Sequence, residues 1–320
     1  MNDELEPWIE MLRSPNVDDR LVAVKTLQHL GDEETLIPLL EALKDDSPLV
    51  QKLAVTSLWE LANPAAVTAL VECLASPVEE IRDEARSALG ELIAPDHLLL
   101  LLDVLHREDI NLQLNILFLL RKIHDVQSLP YVLPFFASPH PDLREASVTT
   151  LRYLNQVERC QPALALISDP DEGVRRAAAL TLGHLADAEV VSHLCKALSD
   201  DPDWEVRRNA AKSLAIHANP EAIASLEAAL EDSYWQVRKF SLQALQKIPA
   251  DRTLPLFIKA LADEYSDVRR EAAIALGILK NQIALTPLQQ ALDDPDRDVC
   301  IFAKRAITSI QEIMQETSNA

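Results

Sequence analysis

The chain has 320 residues, 48% of them hydrophobic, with 51 acidic side chains against 30 basic ones and a formal net charge of −21. This composition excludes a disordered chain, and the charge argues against a general nucleic-acid binder, whose affinity depends on neutralising phosphates with Lys and Arg. No run is long and apolar enough to insert into a membrane; the greasiest, Leu98 to Leu102, stops at Asp103.

Residues 1–13 read as an N-terminal cap. The opening Met-Asn-Asp-Glu-Leu-Glu is acidic and lacks the positive start of a secretory signal. The four cysteines, Cys73, Cys160, Cys195 and Cys300, are far apart and form no CxxC pair. Both features predict a cytoplasmic protein with free thiols. From about residue 14 to 315 one pattern recurs ten times, followed by a short tail at 316–320. Its anchor is the residue after a branched apolar position: Arg20, Gln51, Arg82, Gln113, Arg144, Arg175, Arg207, Arg238, Arg269 and Cys300. The steps are 31, 31, 31, 31, 31, 32, 31, 31 and 31. A period in this range means stacked supersecondary units, so residues 1–320 are expected to form a single solenoid.

Each unit predicts two helices. An apolar leading helix precedes the anchor, as in Leu36 to Leu43, Val67 to Leu74 and Leu254 to Leu261, with Pro early in it at Pro38, Pro130, Pro162, Pro255 and Pro287. The second, or anchor, helix is clearest from Asp169 to Leu185. There Asp169 reads as the N-cap, Pro170 as the first helical residue and Glu172 as the partner of a capping box. Val174, Ala178, Thr181, Leu182 and Leu185 stand at offsets −1, +3, +6, +7 and +10 from the anchor, on one helical face. The +3 residue is mostly small, which lets neighbouring helices approach. The predicted fold is therefore all-α: an α-solenoid of about ten antiparallel two-helix repeats. An Asp lies six residues before the anchor in six repeats: Asp45, Asp169, Asp201, Asp232, Asp263 and Asp294.

Departures from the register mark the candidate sites, again in chain order. Trp59, at +8 in the second repeat, is on the face away from the core. Leu114 and Phe118, at +1 and +5 in the fourth repeat, occupy positions that are charged elsewhere. With Tyr131, Phe135, Phe136 and Tyr153 they form an exposed apolar patch, or they are buried by a bend of the stack. In the C-terminal repeats the +1 positions read Arg176, Arg208, Lys239 and Arg270, a basic ridge. Trp204 and Trp235 stand one turn earlier, beside Tyr234 and Tyr265. An aromatic–cation strip suits a flat anionic ligand or an acidic protein surface. The alternative is that the tryptophans plug the seams between repeats. In that reading the cations pair with turn acids at i, i+4: Glu172 with Arg176, Asp171 with Arg175, and Asp203 with Arg207.

The Asp at the inter-helix turn, the Val-Arg that follows, the small residues, the Leu and the early Pro resemble the HEAT repeat. The wording Asp-Pro-Asp-Glu-Gly-Val-Arg-Arg-Ala-Ala-Ala-Leu, with the short period, is similar to the subclass named after phycobilisome lyases. The resemblance covers about residues 14–315. It implies a ladder of Asp and Arg between neighbouring repeats, interrupted here at Gln51, Gln113 and Cys300. Iron hydroxylases built from such repeats carry His-Glu pairs, and none of the eight histidines is followed by Glu. No Walker, GxGxxG, GxSxG or HExxH motif is present, so no catalytic or metal-binding residue is expected. Repair glycosylases of the family need a positive groove, which the charge disfavours. The leading expectation is a non-catalytic adaptor holding a protein partner in the concave groove lined by the anchor helices, with no cofactor. The resemblance implies an alternative: a lyase-type or assembly protein with a bilin as ligand and a phycobiliprotein, or a second HEAT-repeat chain, as partner.

Overall fold

The computed structural model describes residues 5–248 and 250–319. These form α-helices and short 3-10 turns, with no strand among them. The chain is an α-solenoid that divides into two compact units, Met1–Gln156 and Val157–Ala320. In the first unit the hairpins are α1 (Glu6–Met11) with α2 (Val17–Leu30), α3 (Leu36–Ala42) with α4 (Pro48–Leu61), and α5 (Val67–Cys73) with α6 (Glu79–Leu92). They continue with α7 (Leu98–Leu105) and α8 (Ile110–Ile123), then α9 (Leu129–Val132) and α10 (Pro141–Leu151). The second unit holds α11 (Gln161–Leu164) with α12 (Glu172–Thr181), α13 (Val190–Asp200) with α14 (Trp204–His217), and α15 (Ile223–Ala228) with α16 (Trp235–Lys247). Its last hairpins are α17 (Leu254–Ala260) with α18 (Ser266–Leu279) and α19 (Leu285–Gln290) with α20 (Arg297–Asn319). Residues expected to form a cap thus include the leading helix α1. Those of the expected tail continue α20 to Asn319; Ala320 lies outside the described residues.

Local chemistry sets the ends of these helices. Asn16, Asp109, Asp171 and Asp203 accept backbone N–H groups at the starts of α2, α8, α12 and α14. The N-cap of α12 is therefore Asp171 and not Asp169, which was the sequence reading. Asp169 instead accepts the N–H of Asp171 at 2.9 Å and closes the turn before the helix. Several anchor helices end on a left-handed residue: Gly31, Ala62, His124, Ala218 and Lys280. Asn63, Asp125, Asn219 and Asn281 then accept the N–H two residues on and start the 3-10 turn into the next leading helix.

The core follows the repeat register. Val50, Ala54 and Leu58 of α4 are buried, as are Val174, Ala178 and Leu182 and, in α18, Val268, Ala272 and Leu276. At +6, Ser57, Thr150, Thr181, Ser213 and Ala275 are buried and small. Thr150 donates to the Leu117 carbonyl at 2.9 Å, and Ser213 to that of Ala179 at 2.6 Å, so hydroxyls tie one anchor helix to the one before it. The approach is close. A Cβ at Gly183 would lie 2.6 Å from the Ser213 hydroxyl, and one at Gly277 would lie 3.1 Å from the Cα of Ala306.

The ladder forms. Arg20 pairs with Asp45, Arg175 with Asp201, Arg207 with Asp232, Arg238 with Asp263 and Arg269 with Asp294, with Nε to Oδ2 distances of 2.6–2.7 Å. Each Arg also donates to the carbonyl six residues before it. Each Asp accepts an N–H in its own turn, as Asp232 does from Tyr234 at 2.8 Å. At Gln51, Gln113 and Cys300 the bond to that carbonyl survives, at 2.6, 2.9 and 3.1 Å, without the bond to a carboxylate of the next repeat. The break extends to Arg82, which donates to Ser76 while the next ladder position holds Arg107. Arg107 turns back to Glu72, at 2.6 and 2.8 Å.

Candidate partner-binding surface

The four ridge cations lie on successive anchor helices of the second unit, and each meets a carboxylate. Arg176 Nε is 3.1 Å from Asp203, and Arg208 Nη1 is 3.2 Å from Glu205. Lys239 Nζ is 2.6 Å from Asp267, and Arg270 is 2.9 Å from the same carboxylate. Hydrogen bonding to Arg176 holds the Asp203 carboxyl below the usual carboxylate range, and Lys239 does the same for Asp267. Arg176 and Lys239 reach the following repeat. The three expected i, i+4 pairs are superseded: Arg175 takes Asp201, Arg207 takes Asp232, and Arg176 takes Asp203 and Glu205 in place of Glu172, while Asp171 caps its helix. Asp171 and Asp203, one helical turn before Arg175 and Arg207, are already committed, and the next repeat supplies the carboxylate.

Trp204 and Trp235 also bridge repeats. Trp204 stacks on Tyr234 with ring centroids 5.2 Å apart and planes at 9°; Trp235 stacks on Tyr265 at 5.5 Å and 19°. Arg208 lies 5.0 Å from the Trp204 ring, and Lys239 lies 5.7 Å from that of Trp235. The ladder residues Arg207 and Arg238 also lie over Tyr234 and Tyr265, at 5.7 and 5.8 Å from the ring centroids. Tyr234 and Tyr265 nevertheless remain 45% and 42% exposed, so the edge where α14, α16 and α18 begin presents ordered aromatic rings to solvent. Sequence reasoning missed Lys212 and Phe240 here. Lys212 sits 4.3 Å from the Phe240 ring centroid, and Lys239 sits 5.9 Å from the same ring.

In the first unit the candidates disperse. Trp59 is half-buried and donates from Nε1 to Glu91 of the next repeat at 2.9 Å. Leu114 is half-buried, and Phe118 is 47% exposed with Arg86 and Arg121 each 5.9 Å from its ring. Phe136 is buried. Tyr131 packs near His106, at the end of the hairpin where α8 begins, and Tyr153 near His124, where α8 ends. The repeat-4 residues and these rings therefore do not share one face.

A cleft of about 680 Å³ lies between the second and third hairpins, where the ladder lacks its carboxylate; Leu40, Leu43, Gln51, Ala69, Cys73 and Ile81 are among its walls. Burial, with the Glu72 carboxylate, pushes the Cys73 thiol up to about 11, so it is protonated at neutral pH and a poor nucleophile. Among the described residues no three His, Cys, Asp or Glu side chains come together to hold a metal ion, and no helix is long and apolar enough to cross a membrane.

The model for HEAT repeats matches residues 5–90, 161–245 and 226–308. The chain belongs to the HEAT-repeat family. The unmatched stretch between includes the divergent repeat of Leu114 and Phe118. No curated protein matches the chain. An engineered protein of known crystal structure is similar over 97% of this chain and 99% of its own, at 21% identity and a TM-score of 0.54. A chain from a structure of Kap95p with RanGDP is similar over 96% of this chain at 14% identity and a TM-score of 0.62. This chain spans 51% of that one. With 438 solved chains matching, such likeness speaks for the fold alone.

Proposed function

We propose that this HEAT-repeat chain is a non-catalytic cytoplasmic scaffold that binds a protein partner across the anchor-helix edge of its second unit. The observation that carries the reading is the pair of interlocked stacks, Trp204 on Tyr234 and Trp235 on Tyr265, with half-exposed tyrosines flanked by cations. Aromatic rings held rigid before binding give up little side-chain entropy on contact, and they alternate here with charged groups that give orientation. Arg176, Arg208, Lys239 and Arg270 supply those charges. In the first unit Leu114, Phe118 and Trp59 remain separate candidate contacts, of which Phe118 is the most exposed.

The test places a photo-crosslinking amino acid at Tyr265 or, as a control, at Ile283, which is 68% exposed in the turn before α19. In extract of the native cell, Tyr265 should capture a partner and Ile283 should not. Replacing Arg208 and Lys239 with Glu should weaken capture. Equal capture at both positions, or capture unchanged by the double replacement, would retire the surface. A second reading has a bilin as ligand, in a lyase-like role on a phycobiliprotein. The stacked rings under guanidinium and ammonium groups support it in kind, since a tetrapyrrole is flat and carries anionic propionates. A visible absorbance band that shifts when the protein is mixed with a bilin would support it; an unshifted band with an intact fold would end it.

A further inference from the structure

Every cation of the ridge is matched, but a neighbouring one, at +5 on α14, is not. Arg176, Arg208, Lys239 and Arg270 each have a carboxylate partner. Lys212, half-buried on α14, has no hydrogen bond or ion pair among the described residues. Its ammonium group rests 4.3 Å from the centroid of Phe240, a ring it shares with Lys239, and Arg208 stands one helical turn before it. The nearby acids are committed elsewhere: Asp203 and Glu205 to Arg176, Glu205 also to Arg208, and Asp267 to Lys239 and Arg270. Glu271 is held by Gln243 and Gln246. Burial and the charges of Arg208 and Lys239 lower the Lys212 pKa, the signature of a cation lacking its counter-ion.

We infer that Lys212, floored by Phe240 and flanked by Arg208 and Lys239, is a carboxylate-binding subsite that takes an Asp or Glu side chain from an acidic segment of the partner. The inference rests on the scaffold reading and names the partner's chemistry. One unmatched cation calls for one negative charge, and the ring beneath it favours a group approaching from the solvent side.

The probe is fluorescein-labelled octaglutamate, followed by anisotropy on the full chain at near-physiological ionic strength, where the repulsion from the chain's net charge of −21 is screened and short-range contacts decide binding. Wild type should bind it. Lys212→Gln should weaken binding about fivefold to tenfold, the scale of one charge-assisted contact, and Lys212→Arg should retain it. Lys196→Gln, an exposed lysine on α13, serves as the control and should leave binding unchanged. Circular dichroism establishes that each variant is folded. No binding by wild type, equal effects of Lys212→Gln and Lys196→Gln, or preference for a phosphoserine peptide over octaglutamate would overturn the inference. Crosslinking from Tyr265 separates the two proposals. If capture at Tyr265 persists while octaglutamate ignores Lys212, the scaffold surface stands and the subsite falls; if capture fails while octaglutamate binding depends on Lys212, the reverse holds.

Discussion

Arg207→Gln isolates the worth of one rung of the ladder. Arg207 makes two bonds to Asp232, Nε to Oδ2 at 2.6 Å and Nη2 to Oδ1 at 3.1 Å, and two more from Nη1, to the Asp201 carbonyl at 2.9 Å and the Pro202 carbonyl at 3.2 Å. The two side chains are only 13% and 10% exposed, so their attraction is poorly screened. Gln at this position keeps the carbonyl bond, as Gln51 and Gln113 show, and leaves Asp232 with the Tyr234 N–H alone. Stranding one member of a buried pair costs about 3–5 kcal/mol. The residual exposure and the surviving N–H bond place this case near roughly 2–3 kcal/mol. Arg82→Gln is the internal control, because Arg82 lacks the carboxylate and gives up only a guanidinium-to-carbonyl bond that Gln replaces, at a cost of roughly 0–1 kcal/mol.

The difference between the two variants is therefore about 2 kcal/mol, or roughly thirtyfold in a local opening equilibrium. Hydrogen exchange followed by mass spectrometry suits a solenoid better than one global melting curve, since repeats open semi-independently. Peptides covering α14 to α16 should lose about thirtyfold in protection in Arg207→Gln, relative to the loss around α6 in Arg82→Gln. Losses agreeing within about threefold would mean that the carboxylate contributes nothing and that the carbonyl bond alone holds the turns.

Three further predictions concern acid, caps and thiols. The carboxyls of Asp203, Asp267 and Asp294 are lowered by Arg176, Lys239 and Arg269, so their contribution to stability is complete above the unfolded value near 3.8 and disappears as pH falls through their folded values. Urea midpoints of the wild type should hold from neutral pH to about pH 5 and drop below about pH 4, and Asp294→Asn should be less stable at neutral pH with a shallower acid limb; an acid limb unchanged in this variant would refute the assignment. Ala218 ends α14 with φ 47°, so Ala218→Gly should raise stability by about 0.5–1 kcal/mol, read as slower exchange at the end of α14; faster exchange would refute the strain. Cys73 should resist iodoacetamide at pH 8 and gain reactivity as pH approaches 11, measured by mass spectrometry; alkylation at pH 8 at the rate of an ordinary free thiol would contradict the raised pKa.

What the sequence discloses and what it hides divide by distance along the chain. The core offsets are readable because they repeat at one fixed phase, so ten copies reinforce each other where a single copy would be ambiguous; the Asp–Arg pairing across repeats is what the resemblance to the HEAT repeat implies. The cap of α12 was misplaced by two residues because Asp169 and Asp171 are both competent N-caps, and only the turn geometry gives Asp169 the N–H of Asp171 and the helix to its neighbour. The partners of the ridge were hidden for another reason. Arg176 and Asp203 are 27 residues apart and Lys239 and Asp267 are 28 apart, offsets that fit neither a helical turn nor the repeat period. They arise because a +1 side chain of one anchor helix reaches the first turn of the next, a little short of a full repeat. Stacking Trp204 on Tyr234, 30 residues on, follows the same rule. Cross-repeat neighbours at 27 to 30 residues give Arg176 and Lys239 their partners, Arg208 and Arg270 pair on their own helices with Glu205 and Asp267 three residues before them, and Lys212 is left without a carboxylate. The unusual residue of the ridge is thus not any of the four the +1 register picks out, but the one at +5 that the register treats as ordinary surface.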